Sequence, residues 1–266
     1  MFSFKTNRLT VAIILIPVLY GVILYVPPIL FFACLFLVIL SAQYEFYRLF
    51  FRDRANGQIA LGLALGGMTS ILFYQSEVGH GLLVAILMTV LIVQLFSFRD
   101  IKTTLTDSAL LFTGVIYPTG LLSYLILLRK ADPHWILFLL MVVWMGDAAA
   151  YYVGTSLGKR KLCPAISPNK TIEGAIGGLL GSLLAAVVGQ SFVSMPISRG
   201  ELIVFTLSLG TLAQLGDLVE SMFKRSAGVK DSSSFIPAHG GFLDKLDSIA
   251  FAAPLFYYYL LMRGIL

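Results

Sequence analysis

The sequence predicts an all-α protein, a polytopic transmembrane helical bundle of about nine spans. Three observations predict it. Hydrophobic residues make up 58% of the 266 and charged residues only 12%, about half the roughly 25% of a soluble domain. Apolar stretches long enough to cross a bilayer recur along the whole chain, and mean hydropathy is +0.88. Lys and Arg gather in alternate connections, as they do in membrane proteins. The same composition excludes a disordered chain, a collagen and an ordinary cytosolic enzyme. Two cysteines, Cys34 in an apolar run and Cys163 in a basic stretch, make no disulfide scaffold.

The elements follow in order. Leu9–Val26 is the first span; it is longer than a signal-peptide core and runs into Pro27-Pro28 without a small-x-small site, so it is expected to be retained. Ile29–Ala42 is short and must borrow from its polar flank. Ile59–Tyr74, Gly81–Phe98 and Ala109–Leu128 come next, joined by short connections. Trp135–Val153, Ala175–Met195 and Leu202–Val219 form the sixth to eighth spans, and the short Ile249–Met262 the ninth. Two long connections, 154–172 and 220–247, are rich in Gly, Ser, Lys and Asp. They divide the chain into N-terminal membrane helices, 1–134, and a membrane region with two basic loops, 135–266, which is the half expected to be catalytic if the chain carries chemistry. No repeat at a fixed period is visible, unlike many transporters.

Charge sets the orientation. With the N-terminus inside, fifteen of the nineteen Lys and Arg lie on the cytoplasmic side; Arg129, Lys130, Arg199 and Arg263 are the four opposite. Both basic loops then face the cytoplasm, in an integral protein of the cell (inner) membrane.

The acids are placed as chemistry would require. Asp147 lies near the cytoplasmic end of the sixth span, Glu173 opens the seventh, Asp217 ends the eighth, and Asp244 and Asp247 precede the ninth. Ionisable groups at such positions are costly and usually functional. Residues three or four apart share a helix face, so Asp217, Ser221 and Lys224 or Arg225 form one stripe, and Asp244, Asp247 and Ser248 another. Facing stripes of carboxylates supply hard oxygen ligands for Mg²⁺, which also takes phosphates. The cations Lys224, Arg225 and Lys230 suit a phosphate-rich anion. The plain alternatives are ion pairs that only hold the bundle, and a basic patch for anionic headgroups.

Between the stripes, Gly240-Gly241 allows close backbone approach or positive φ, and His239 beside it suits a phosphate donor or a structural turn. In the other loop Ser167-Pro168 is expected to start a turn and Thr171 to cap the seventh helix. Lys170 stands beside that positive helix end, an anion-binding arrangement that Asp147 and Glu173 would supplement. It is not a Walker motif, because the Gly-x₄-Gly-Lys-Ser/Thr spacing is absent.

These residues resemble a known family. Ser221-Met222-Phe223-Lys224-Arg225, then Lys230-Asp231, then Ile236-Pro237-Ala238-His239-Gly240-Gly241-Phe242-Leu243-Asp244-Lys245-Leu246-Asp247 is similar to the signature of phosphatidate cytidylyltransferases, also called CDP-diacylglycerol synthases. Asp147-Ala148-Ala149-Ala150-Tyr151 and Ser167-Pro168-Asn169-Lys170-Thr171-Ile172-Glu173-Gly174 resemble two further blocks of it. The likeness is strong over 135–266; the first half shares a polytopic character and an acidic-aromatic patch at Glu45-Phe46. Lys245 stands where the family has Arg, and Ile172 where an aromatic is common.

The resemblance implies that CTP and phosphatidate give CDP-diacylglycerol and pyrophosphate with Mg²⁺. It implies metal at Asp217 and Asp244, and catalytic roles for Lys224, Arg225, Lys230, Asp231 and Asp247. Asp147, Ser167, Lys170, Thr171, Glu173, Ser221, His239, Gly240 and Gly241 would seat the substrates. The expected partners are CTP, phosphatidate and the lipid bilayer, with room for a homodimer and no nucleic acid. An ion or solute transporter with intramembrane carboxylates, or a CTP-dependent lipid kinase, is the alternative. A CDP-alcohol phosphotransferase is disfavoured, because its Asp-Gly-x₂-Ala-Arg run is missing.

Overall fold

A computed structural model describes residues 8–51, 56–75, 81–97, 100–193, 195–233 and 240–266. The helices in chain order are α1 (Arg8–Tyr25), α2 (Pro28–Phe50), α3 (Asn56–Gln75), α4 (Leu82–Ser97), α5 (Thr104–Gly114), α6 (Tyr124–Ala131), α7 (Pro133–Leu157), α8 (Ile172–Gly189), α9 (Arg199–Ser226) and α10 (Leu243–Met262). A π-helical segment, Val115–Gly120, joins α5 to α6, so that 104–131 forms one helical body. Each of the nine expected apolar stretches falls on a helix. Among the described residues, six bodies are long and apolar enough to cross a membrane: 28–50, 57–75, 104–131, 133–157, 172–189 and 199–226. The described apolar part of α1, Ile16–Tyr25, and α4 are shorter, while α10 opens on Asp244, Lys245 and Asp247.

The boundaries move where polar groups find partners. Helix α2 runs past Ala42 to Phe50, carrying Gln43, Glu45 and Tyr47 into the interior. Each makes side-chain hydrogen bonds there, while Gln43 Oε1 has no partner among the described residues. Gln43 Nε2 donates to the Gly62 carbonyl at 2.8 Å, and Tyr47 Oη to the Leu111 carbonyl at 2.8 Å. Helix α8 ends at Gly189, short of the expected Met195. In the 104–131 body Pro118 lacks an N–H and would clash with the turn before it, and the chain widens there into π geometry, with Leu121 N bonding Ile116 O.

One element departs from an all-α fold. Lys161–Cys163 (β1) and Ser167–Thr171 (β2) pair as an antiparallel ribbon, Lys161 opposite Thr171 and Cys163 opposite Ser167. The turn expected at Ser167-Pro168 therefore falls at 164–166 instead. Pro168 is accommodated because each strand of a two-stranded ribbon is an edge with unpaired positions.

The closest helix pair is α7 with α8. The buried face of α8 consists of Gly174, Gly177, Gly178, Gly181, Ser182, Ala185, Ala186 and Gly189. Such a stripe lets backbones approach where hydrophobicity alone gives no attraction between helices. A Cβ on Gly181 would collide with the Ala149 side chain, and one on Gly177 with Val153. Ser182 Oγ donates to the Val142 carbonyl across the pair at 3.0 Å, and Gln214 Nε2 ties α9 to the Ala175 carbonyl at 3.0 Å. Helix α10 packs along α9, with Phe256 of α10 gathered among Trp135, Phe138 and Phe205. Helix α8 thus runs along α7, from Gly174 beside Ala150 and Gly154 to Gly189 beside Phe138, and β2 leads into it at the Gly154 end.

Candidate active site

The last two turns of α9 carry the site's first stripe. Ser221 Oγ points at Asp217 Oδ1 from 3.4 Å, and the final turn is basic at Lys224 and Arg225, which complements the helix C-terminus. Glu220 faces inward and is fully buried. Lys224 Nζ lies between this carboxylate and Asp244, pairing with Glu220 and reaching Asp244 Oδ1 at 2.6 Å. The ion triad offsets part of the cost of burial, because one cation is shared by acids from both α9 and α10.

Asp244 stands in the first turn of α10, ahead of the apolar stretch that begins at Ile249. Its second oxygen, Oδ2, accepts from Ser232 Oγ at 2.8 Å, Ser232 N at 3.1 Å and Gly241 N at 2.7 Å. Burial opposes its charge, but the Lys224 ammonium and the Gly241 N–H outweigh that and hold the carboxyl at about 2. Gly240 takes φ +83°, a conformation that L side chains rarely adopt, and so delivers the Gly241 N–H onto Asp244.

A second group of charges adjoins the first. Lys170 at the end of β2 pairs with Asp217 Oδ2 at 2.7 Å. Asp147 and Asp247 act electrostatically on each other and on Asp217, and the Ser248 side chain reaches Asp147. Asp247 is buried and accepts from Ser248 N at 2.8 Å, whereas Asp147 is solvent-accessible. Three helices and the ribbon thus each deliver charge to one place. Arg225 reinforces the junction, donating from Nε to the Ile166 carbonyl at 3.2 Å and from Nη1 to Val229 O at 2.9 Å.

Other expected site residues lie elsewhere. Thr171 Oγ1 caps α8 by accepting from Gly174 N at 3.1 Å. Glu173 does not join the other acids; it accepts from the backbone N–H of Lys159 at 3.0 Å and of Arg160 at 3.1 Å, pinning the start of the ribbon. Ser167 is half-buried in β2, while Lys230 and Asp231 are exposed beyond α9. His239 lies outside the described residues. Among the described residues, no group of three or more His, Cys, Asp or Glu side chains could hold a metal.

Three groups escaped the sequence. Glu220 is one; its i,i+4 spacing to Lys224 was a signal, hidden by the stripe drawn through Asp217 and Ser221. Glu45 is the second; it comes from α2, far away in sequence, and accepts hydrogen bonds from residues 232–243. Tyr117 is the third. It sits on the π segment with its ring 5.3 Å from Phe223 and 6.2 Å from Phe251, buried, and its hydroxyl has no hydrogen-bond partner among the described residues.

Comparison with known proteins adds a family to this geometry. The model of the cytidylyltransferase family matches residues 6–263. The phosphatidate cytidylyltransferase of Bacillus subtilis is 36% identical over 229 residues, covering 85% of this chain and 75% of the relative. That of Staphylococcus saprophyticus is 46% identical over 167 residues, 63% of this chain and 62% of the relative. That of Staphylococcus haemolyticus is 45% identical over 167 residues, with the same coverage of 63% and 62%. The match thus spans less than two thirds of the length of these staphylococcal relatives.

Proposed function

The chain belongs to the cytidylyltransferase family, and on that premise we propose that it transfers the cytidylyl group of CTP to phosphatidate, giving CDP-diacylglycerol and pyrophosphate in phospholipid synthesis. The observation that carries the proposal is the Lys170–Asp217 pair at 2.7 Å, which joins the 167–174 block to the stripe of α9 and α10. Separate stretches that resemble one family's blocks are therefore neighbours in space. A site near the end of membrane helices also suits the substrates, since CTP comes from water and the lipid phosphate stays at the interface.

The reaction is a direct displacement. A phosphate oxygen of phosphatidate attacks the α-phosphorus of CTP, a new P–O bond forms, and the bond from that phosphorus to the bridging oxygen breaks as pyrophosphate leaves. The attacking phosphate is largely ionised near neutral pH, so no general base is required. What the protein must supply is alignment and charge neutralisation between two anions. Lys170 and Lys224, each resting on aspartates, would turn to phosphate oxygens when these arrive, with Arg225, Lys230 and Ser221 adding donors from the end of α9. Asp231 lies among these cations in sequence. Ser167, Thr171 and Glu173 would shape the nucleotide seat through the ribbon and the cap of α8, with Asp147 beside it, and His239, Gly240 and Gly241 would present donors from the other side.

Mg²⁺ is the metal implied, and the donor set fits it. Mg²⁺ is usually bound by one or two carboxylates together with waters and substrate phosphates, so a cage of three acids is not needed. Asp217 has an oxygen engaged only by the 3.4 Å contact from Ser221 and would be the first ligand. Asp244 would be the second, exchanging Lys224 or Ser232 to join, with Asp247 behind both. When bound, the metal would offset the charge of the triphosphate.

The test is an assay of the full chain with labelled CTP, phosphatidate and Mg²⁺ in which both products are identified. CDP-diacylglycerol and pyrophosphate are expected. Release of CDP would mean a lipid kinase, and solute flux without CTP a transporter. For orientation, Ser226→Cys in a background lacking Cys34 and Cys163 should react only with reagents that reach the cytoplasmic face. Labelling from outside intact cells would reverse the topology.

A further inference from the structure

Glu45 lies on α2, outside the stretches 147–151, 167–174 and 221–247, and it is 5% exposed. Its carboxylate accepts four hydrogen bonds. Oε1 takes Ser233 Oγ at 2.7 Å and Phe242 N at 3.1 Å; Oε2 takes Ser232 Oγ at 3.1 Å and Leu243 N at 2.9 Å. Two of these donors are the N–H groups at the start of α10. The N-cap residue of that helix, Phe242, has no side chain able to cap it. Glu45 therefore does from a distance what Ser or Asp would do locally, placing a negative charge on the helix N-terminus and satisfying two of its N–H groups. Among the described residues no Lys or Arg forms a salt bridge with Glu45, so its charge is balanced by these dipoles.

The same carboxylate reaches Asp244 through one hydroxyl. Ser232 Oγ lies 3.1 Å from Glu45 Oε2 and 2.8 Å from Asp244 Oδ2. Gly241 fits between them only because it lacks a side chain; a Cβ there would collide with both Glu45 and Ser232. Glu45 thus grips the stretches on both sides of residues 234–239 and the first turn of α10 at once. We infer that Glu45 is a positioning residue for the transfer reaction, an anchor on α2 that fixes Ser232, Gly241 and the start of α10 so that Asp244 is aimed into the site. The inference rests on the transferase activity proposed above and assigns a task to a residue of the N-terminal helices.

The experiment uses the full chain in detergent, with steady-state kinetics and amide hydrogen exchange on the same samples. In Glu45→Gln an amide nitrogen replaces one acceptor and faces donors, so kcat should fall about 10²-fold, as expected for misplaced catalytic groups. KM for CTP should stay within about threefold, because Glu45 acts through Ser232 and the start of α10. Glu45→Asp keeps the charge and both acceptors and should recover about tenfold of the loss. Ser233→Ala, a milder change that removes one of the four donors, should lower kcat about threefold. Exchange at Gly241, Phe242 and Leu243 should quicken at least about tenfold in Glu45→Gln while α8 keeps its protection.

A kcat for Glu45→Gln within about twofold of wild type would overturn the inference. So would equal losses in Gln and Asp with exchange raised throughout the chain, which would mark Glu45 as a folding residue only. If the wild-type chain makes no CDP-diacylglycerol, the proposed function falls instead. The exchange measurement then decides alone: unchanged protection at 241–243 would sink the anchor.

Discussion

Helices α7 and α8 meet without a charge between them, whereas α9 and α10 meet around four. The buried face of α8 is made of Gly, Ala and one Ser, and the opposing face of α7 of apolar residues and Gly146. Between α9 and α10 lie Glu220, Lys224, Asp244 and Asp247, all of them wholly or largely buried. Both pairs answer the same constraint, since lipid offers helices no hydrophobic reason to associate. Close packing answers it without desolvating ions. A buried ion network is a poor fastener, because desolvation offsets most of its Coulomb energy. Under the proposed reaction, the difference makes α7 and α8 the scaffold and reserves the charges of α9 and α10 for chemistry.

The largest effects should come from the charges, in activity. Asp217→Asn and Asp244→Asn are each expected to cut turnover by about 10³-fold or more, the scale on which lost electrostatic stabilisation acts. Both proteins should still fold, since Lys224 keeps Glu220 as partner in the second and Lys170 lies near Asp147 in the first. Product analysis beside a thermal melt in detergent checks this. Full activity in either variant would dissolve the contrast, leaving α9 and α10 as a second scaffold.

Next is Lys224→Met, which strips the cation from between Glu220 and Asp244. Breaking a buried pair from one side costs about 3–5 kcal/mol, because a charge remains without compensation. Adding Glu220→Leu should restore much of the stability and none of the activity. Reversible unfolding in mixed micelles separates the two readouts. Gly181→Leu probes the scaffold. Its side chain must push Ala149 and the Met145 carbonyl aside, and overpacking of this kind costs about 1–3 kcal/mol or more. Its activity should fall only as far as folded protein is lost, the converse of the aspartate variants.

How much of this was legible in the sequence follows from what each feature depends on. Span positions were, because hydropathy is local; each of the nine expected stretches lies on a helix. Their ends were less so. The continuation of α2 past Ala42 depends on Gly62 and Leu111 accepting hydrogen bonds, which no local window contains. The Asp217–Ser221 contact was legible from helical spacing, and the Thr171 cap from its residue type. Lys170 looked like the companion of the α8 N-terminus, yet it pairs with Asp217, a contact set by how the ribbon folds over. Glu173 looked like a member of the acidic group and is spent on two backbone N–H groups instead. Glu45 stood out only as part of an acidic-aromatic patch; its contacts were beyond reach, since the described ones lie almost 200 positions downstream and are backbone groups or serines.

The smallest effect sharpens the comparison most. Ser182 supplies the polar contact of α8 to α7, its hydroxyl donating to Val142 O at 3.0 Å in a fully apolar setting. Hydrogen bonds between membrane helices average only about 0.6 kcal/mol, because the unfolded helix in lipid finds other partners. Ser182→Ala keeps the small side chain that lets Gly146 and Gly210 approach, so packing is preserved while the bond is lost. A cost near that average, with kcat unchanged, would mean that close contact carries the scaffold and the hydroxyl only trims it. A cost above about 2 kcal/mol would exceed what such bonds deliver. The α7–α8 pair would then depend on a polar fastener much as α9 and α10 do, and the division between a packed scaffold and a charged site would fail at its dry end.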